Sequence, residues 1–335
     1  MSAKRTDHRT LWLAAAAAAV LLAAASSVAV GAQDLPITDL WHGLWARDGS
    51  HEARLVWGSR VPRTVLGLIV GACLGLSGAL IQGYTRNPLA DPGLIGVNAG
   101  AGLAVALAAG TLGVTTVTGQ VWFAMGGALV AAVAGYLAGS AGARGPSPLR
   151  LTLAGLALGA LLTGITSGLA LLDPRAFEQG RAWSAGSLTG RDLGTAWTLL
   201  PFLAAGLVLA LACARALNAV ALGEETATAL GLGVNRLRAT LVAAVALLAG
   251  TATAAAGPIG FVGLMVPHAA RWAVGNDQRW VLACTLLLAP ALLLSADVAA
   301  RVLLSPDELP VGVVTAFLGG PALLAVVRTR RLGGS

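Results

Sequence analysis

Apolar residues run along this chain in long unbroken blocks, separated by short polar stretches. A helix needs about 20 apolar residues to cross a hydrocarbon core of roughly 30 Å. Leu11–Gly31 and Thr64–Gly83 meet that length. From Pro92 to Ala143 there is no Asp, Glu, Lys or Arg in 52 positions, which predicts two crossings near Leu94–Gly110 and Thr118–Gly139. Leu151–Leu172, Thr195–Ala214 and Ala239–Ala256 follow. Gly257 and Pro258 then break the pattern. Ile259–His268 is apolar but short and reads as a truncated or re-entrant segment, before Trp280–Ala296 and Leu309–Val327. The count is ten. The first block follows Lys4, Arg5 and Arg9 and invites comparison with a signal peptide. Its apolar run exceeds the 7–15 residues of a signal core, so it reads as a retained span.

Composition agrees with a polytopic all-α membrane protein forming one unit over residues 1–335. Charged residues are 11% and hydrophobic ones 56%, against roughly 25% charged in a soluble domain. A net charge of +7 comes from Lys and Arg scattered between the apolar blocks. No basic stripe with interleaved aromatics is present, so no nucleic-acid partner is expected. Cys73, Cys213 and Cys284 stand alone in apolar runs, and the four His are dispersed. Neither a metal site nor a disulfide frame is expected, and no cofactor.

Basic residues follow the loops unevenly. With ten spans, the side holding both termini carries 14 of the 22 Lys and Arg and 5 of the 15 acids. The positive-inside bias then predicts cytoplasmic termini in the cell (plasma or inner) membrane. Four-residue glycine steps at Gly67, Gly71 and Gly75, at Gly155 and Gly159, and at Gly164 and Gly168 predict close helix packing.

The first seven spans hold no ionisable residue in their interiors, and Asp297 and Arg301 stand only at the end of the ninth. An ion-coupled secondary transporter, the alternative class, usually carries a coupling group inside the membrane. Neither HExxH nor GxxxxGK[ST] occurs, so no catalysis is expected and ATP hydrolysis belongs elsewhere. The chain therefore reads as a path powered by another subunit. The expected docking point is the segment 218–238, a polar, glycine-punctuated cytoplasmic loop.

Several blocks then carry a resemblance. They are RVPR at Arg60–Arg63, SGALIQGYTRNPLADPGLIGVN at Ser77–Asn98, GEETATALGLGVNRLR at Gly223–Arg238, GPIGFVGLMVPHAAR at Gly257–Arg271, and ADVAAR and ELPVGVVTAFLGG within Ser295–Gly320. In this order the chain resembles the permease subunit of ABC importers for iron–siderophores, haem and vitamin B12, the FecCD type. The resemblance implies ten helices per subunit and a second copy or paralogue with the path at the dimer axis. It also implies two cytoplasmic ABC ATPases and an extracytoplasmic substrate-binding protein. Glu224, Glu225, Leu230, Gly231, Asn235, Arg236 and Arg238 match its coupling segment. Arg60, Arg63 and Arg301 match outer-face arginines that meet acids on the binding protein, and a planar guanidinium suits carboxylates. Pro88, Asp91 and Pro92 read as a cytoplasmic turn, and His268 as structural. Iron–siderophore leads among cargoes, with haem and vitamin B12 as alternatives.

The fifth span is read as lining the path. Thr152 and Thr163 lie 11 residues apart, about three turns of helix. Gly159, Thr166 and Ser167 continue roughly that face, while Leu153, Leu161, Leu169 and Leu172 lie largely elsewhere. A weakly polar stripe offers room without a deep well. The same hydroxyls can instead bond carbonyls of their own helix.

Overall fold

The structure is a computed structural model. It describes residues 2–31, 33, 35–46, 48–114, 116–141, 148–172, 178, 180–181, 183–305 and 307–332. Among them no strand occurs. The helices are α1 (Ser2–Ala29), α2 (Ile37–Ala46), α3 (His51–Leu55), α4 (Val61–Thr85), α5 (Val97–Leu112), α6 (Val117–Ser140) and α7 (Pro148–Leu172). After these come α8 (Leu193–Val220), α9 (Glu224–Ala229), α10 (Val234–Ala256), α11 (Val262–Val274), α12 (Gln278–Leu303) and α13 (Val311–Leu332). A π-helical turn, Val56–Arg60, joins α3 to α4, so one helix runs from His51 to Thr85.

Each of the ten expected apolar segments is a helix. Among the described residues, seven spans are long and apolar enough to cross a membrane: His8–Ala29, His51–Thr85, Val117–Ser140, Leu149–Leu172, Leu193–Val220, Val234–Ala256 and Gln278–Leu303. Val97–Leu112 and Val311–Leu324 are shorter apolar helices. The truncated eighth segment is α11, 13 residues long, or about 20 Å at 1.5 Å per residue. Two features set its start. Gly257, at φ 75°, closes α10, and Phe261 adopts φ 69° immediately before α11.

Packing centres on α4 and α10. Helix α4 is flanked by α12, α10, α8 and α11, while α10 also meets α6 and α5. Helix α1 lies along α12, and α7 leans on α5 and α6 at the margin. The core where these meet is aliphatic, with Leu66, Leu80, Leu199, Leu241, Leu248 and Leu282 fully buried. At Gly71 a Cβ would come 2.5 Å from Pro290 Cα. Backbone-to-backbone approach of this kind lets van der Waals packing hold helices in lipid.

Two elements were not anticipated. Helix α2 exposes Ile37, Trp41 and Trp45, and the two indoles lie 5.8 Å apart. An exposed apolar face with paired tryptophans on a short helix fits the plane of a membrane interface. Ser50 starts α3 by accepting from Ala53 N–H at 3.2 Å, an ordinary N-cap.

Candidate functional site

Polar chemistry gathers at the two ends of the bundle. At one end α1, α4 and α12 meet around a charge network. Arg63 Nε donates to both oxygens of Asp297, at 3.0 and 2.9 Å, and its Nη2 donates to Oδ1 at 2.8 Å. Its Nη1 reaches Glu308 Oε2 at 2.6 Å. Arg301 Nη2 donates to Asp297 Oδ2 at 2.7 Å and to Ser27 Oγ at 2.9 Å. Its Nη1 donates to the carbonyls of Ser27 and Val30 at 2.9 and 2.7 Å. Arg60 takes the carbonyls of Val28, Ala29 and Gln33, at 3.0, 2.6 and 2.7 Å. The two arginines thus occupy the last carbonyls of α1, which a helix leaves without internal partners.

Arg60, Arg63 and Arg301 are each 5% exposed or less. The chain's own carboxylates and carbonyls engage all three. They nevertheless line a polar cavity of about 330 Å³ together with Glu308, Gln33 and Ser59. Asp297 and Glu308 are the residues that sequence reading overlooked as partners. The signal available was the Asp297–Arg301 spacing of four, one helical turn. Arg191, in the loop before α8, was also overlooked: its Nε is buried without a partner, and burial pulls its pKa below the ordinary arginine value.

The opposite end carries the segment 218–238. Helix α9 is one and a half turns long, and Gly231, at φ 82°, lets the chain turn back into α10. Arg238 pins the turn. It is buried, donates to Glu224 Oε2 at 2.6 Å and to Tyr84 Oη at 2.6 Å, and reaches Asn235 Oδ1 at 3.2 Å. Of the seven residues expected there, Glu224 and Arg238 hold the segment together, while Glu225, Leu230, Gly231, Asn235 and Arg236 are exposed. Leu230 and Leu222 stand 67% and 70% exposed beside them. Nearby, Asp91 accepts from Gly93 N–H at 2.8 Å and starts the 3₁₀ turn Pro92–Ile95, the turn anticipated around Pro88, Asp91 and Pro92.

The five expected path residues do not form one uniform stripe. Thr163 and Ser167 are exposed, Gly159 and Thr152 are half-buried, and Thr152 faces Tyr84 and Tyr136 across a narrow void. Thr166 Oγ1 donates to Leu162 O at 2.8 Å, as the self-bonding alternative anticipates. Leu153 and Leu161 are 55% and 60% exposed, so exposure within one chain does not separate the stripe from its leucine neighbours.

No group of three or more His, Cys, Asp or Glu among the described residues is placed to hold a metal. Comparison with known proteins decides the lineage. The profile of the FecCD transport family matches residues 17–329. The chain belongs to the FecCD family. Among relatives, it is 49% identical over 310 residues to the ferric enterobactin transport system permease protein FepD of Escherichia coli (strain K12), covering 92% of each chain. It is 37% identical over 314 residues to the hemin transport system permease protein HmuU of Yersinia pestis, covering 91% of each. The fold matches the solved structure of a metal-chelate-type ABC transporter in an inward-facing conformation. That match has a TM-score of 0.82 at 26% identity and covers 96% of this chain and 99% of that one. As a FecCD member, the chain is a membrane permease of an ABC importer.

Proposed function

We propose that this permease carries iron–siderophore complexes. The observation behind the reading is the 49% identity to the ferric enterobactin permease across 92% of both chains. In this reading two copies, or this chain and a paralogue, enclose the passage, and two cytoplasmic ATPases supply the energy. A binding protein docks at the Arg60–Arg63–Arg301 cavity, where one of its carboxylates competes with Glu308 for Arg63, and hands its chelate to the passage. Both termini lie in the cytoplasm, and the exposed face of 218–238 takes the ATPase. Thr152, Gly159, Thr163, Thr166 and Ser167 border the passage.

The test is uptake in cells lacking the gene and complemented with it, supplied in turn with ferric enterobactin, haem and cobalamin. Iron accumulation from the siderophore alone supports the reading; restored uptake of haem or cobalamin alone overturns it. The ATPase contact has its own test. A Cβ at position 231 would meet nothing within 4 Å, and Gly231→Trp forces a bulky residue into φ 82°. The variant should stay in the membrane with ATP hydrolysis no longer tied to uptake, and normal transport would remove the segment from that role.

A further inference from the structure

At the Arg238 end of the bundle, α4 and α8 terminate near the C-terminus of α11 and the start of α12, and a polar cavity of about 370 Å³ opens between them. Its lining includes Gln82, Arg86, His268, Arg271, Trp272 and Gln278, and no Asp or Glu lines it. Arg86 ends α4 in the left-handed region, at φ 51°, and is exposed. Arg271 is already positioned. Its Nη1 donates to Gln82 Oε1 at 2.7 Å, and Gln82 Nε2 donates onward to the carbonyls of Gly263 and Leu264, at 3.2 and 3.0 Å. Gln278 is 7% exposed, yet its Oε1 has no donor. The nearest carboxylate in sequence, Asp277, is engaged by Asn218 Nδ2 and by Arg279 N–H. Trp272 stands 73% exposed at the rim, its ring edge-on to His268 with centroids 4.6 Å apart.

We infer that this cavity binds the headgroup of an anionic phospholipid of the phosphatidylglycerol type. The phosphate sits between Arg86 and Arg271, and a headgroup hydroxyl donates to Gln278 Oε1. Several features agree. Spans that end together place the cavity at headgroup depth, and a protruding tryptophan is the side chain that settles there. Basic pockets between membrane helices recognise anionic headgroups, and guanidinium forks match phosphate oxygens. A buried acceptor needs a donor, and the glycerol hydroxyl supplies one that a choline headgroup lacks. The bound lipid bridges the ends of α4, α11 and α12 beside Ala221, three residues before the start of α9. This site is independent of which cargo is carried.

The full chain, purified in detergent, is incubated with phosphatidylglycerol or phosphatidylcholine of identical acyl chains, and retained lipid is counted by native mass spectrometry. One phosphatidylglycerol per chain is expected. Arg86→Asn should reduce retention about five-fold, the worth of one surface arginine. Asparagine accepts the left-handed backbone, so the variant keeps its fold, and Arg271→Gln provides a second loss by another route. Arg328→Gln, exposed on the last helix, should retain lipid like the parent. Equal retention of phosphatidylcholine, or full retention by Arg86→Asn, overturns the site. Displacement of the lipid by millimolar inorganic phosphate assigns the cavity to the free anion instead. Retention that vanishes once the ATPase complex is assembled assigns it to the protein partner, and either result removes the lipid.

Discussion

Helices α4 and α7 are alike in length and apolar character and opposite in surroundings. Each is long and apolar and carries glycines four residues apart. Of the most apolar stretch of the His51–Thr85 span, 89% is buried within the chain, against 6% for Leu149–Leu172. The glycines differ in the same way. Side chains grown from Gly67, Gly71 or Gly75 would run into Leu294, Pro290 or Ala289 of α12. A Cβ at Gly164 or Gly168 meets nothing within 4 Å. In lipid an apolar helix gains little from burial as such, because the solvent is as apolar as the neighbour. What decides its place is whether another backbone can come close. The face of α7 is therefore reserved for something outside this chain, while that of α4 is consumed inside it.

Four tests probe the contrast, from the largest effect to the smallest. Asp297→Ala strips the carboxylate from Arg63 and Arg301 on the α4–α12 side, leaving buried guanidiniums short of charge, at a cost of about 3–5 kcal/mol. Thermal unfolding in detergent should show that loss, and an unchanged midpoint would mean the network contributes little. Gly71→Leu drives a side chain into the Pro290 backbone and should destabilise by roughly 1–3 kcal/mol or more, seen as a drop in folded yield. Gly164→Leu, the matched change on α7, should stay within about 0.5 kcal/mol of the parent. If it unfolds the isolated chain instead, α7 is packed and the contrast fails. Last, Thr163→Cys and Ser167→Cys, in a background lacking Cys73, Cys213 and Cys284, should react with a membrane-impermeant thiol reagent during turnover. Leu161→Cys and Leu169→Cys are the controls, and labelling of the controls alone would turn the stripe toward lipid or protein.

Long-range order along the chain was legible because lipid imposes it: ten apolar blocks became ten helices, the short eighth included. Helix α2 escaped a search for long runs. Yet Ile37, Leu40, Trp41, Leu44 and Trp45 repeat at the three- and four-residue steps of an amphipathic helix. At the candidate sites, residue type was readable and partnership was not. Arg238 and Glu224, 14 residues apart, could be guessed as neighbours across a turn. Arg63 and Asp297, 234 residues apart, are joined only by the packing of α4 on α12. A reading that sees an arginine near a span end cannot tell whether an acid elsewhere in the chain has already claimed it.

The capping of α1 carries a consequence for the order of assembly. Its final carbonyls are held by Arg60 and by Arg301, and its flank lies on α12. A ribosome delivers the end of α1 271 residues before Arg301. Helix α1 must therefore wait in the bilayer, its C-terminal carbonyls answered by Arg60 or by interfacial water, until α12 has been inserted. Closure of the bundle is thus a late event in biogenesis, and a nascent chain released before Arg301 would carry its first helix undocked.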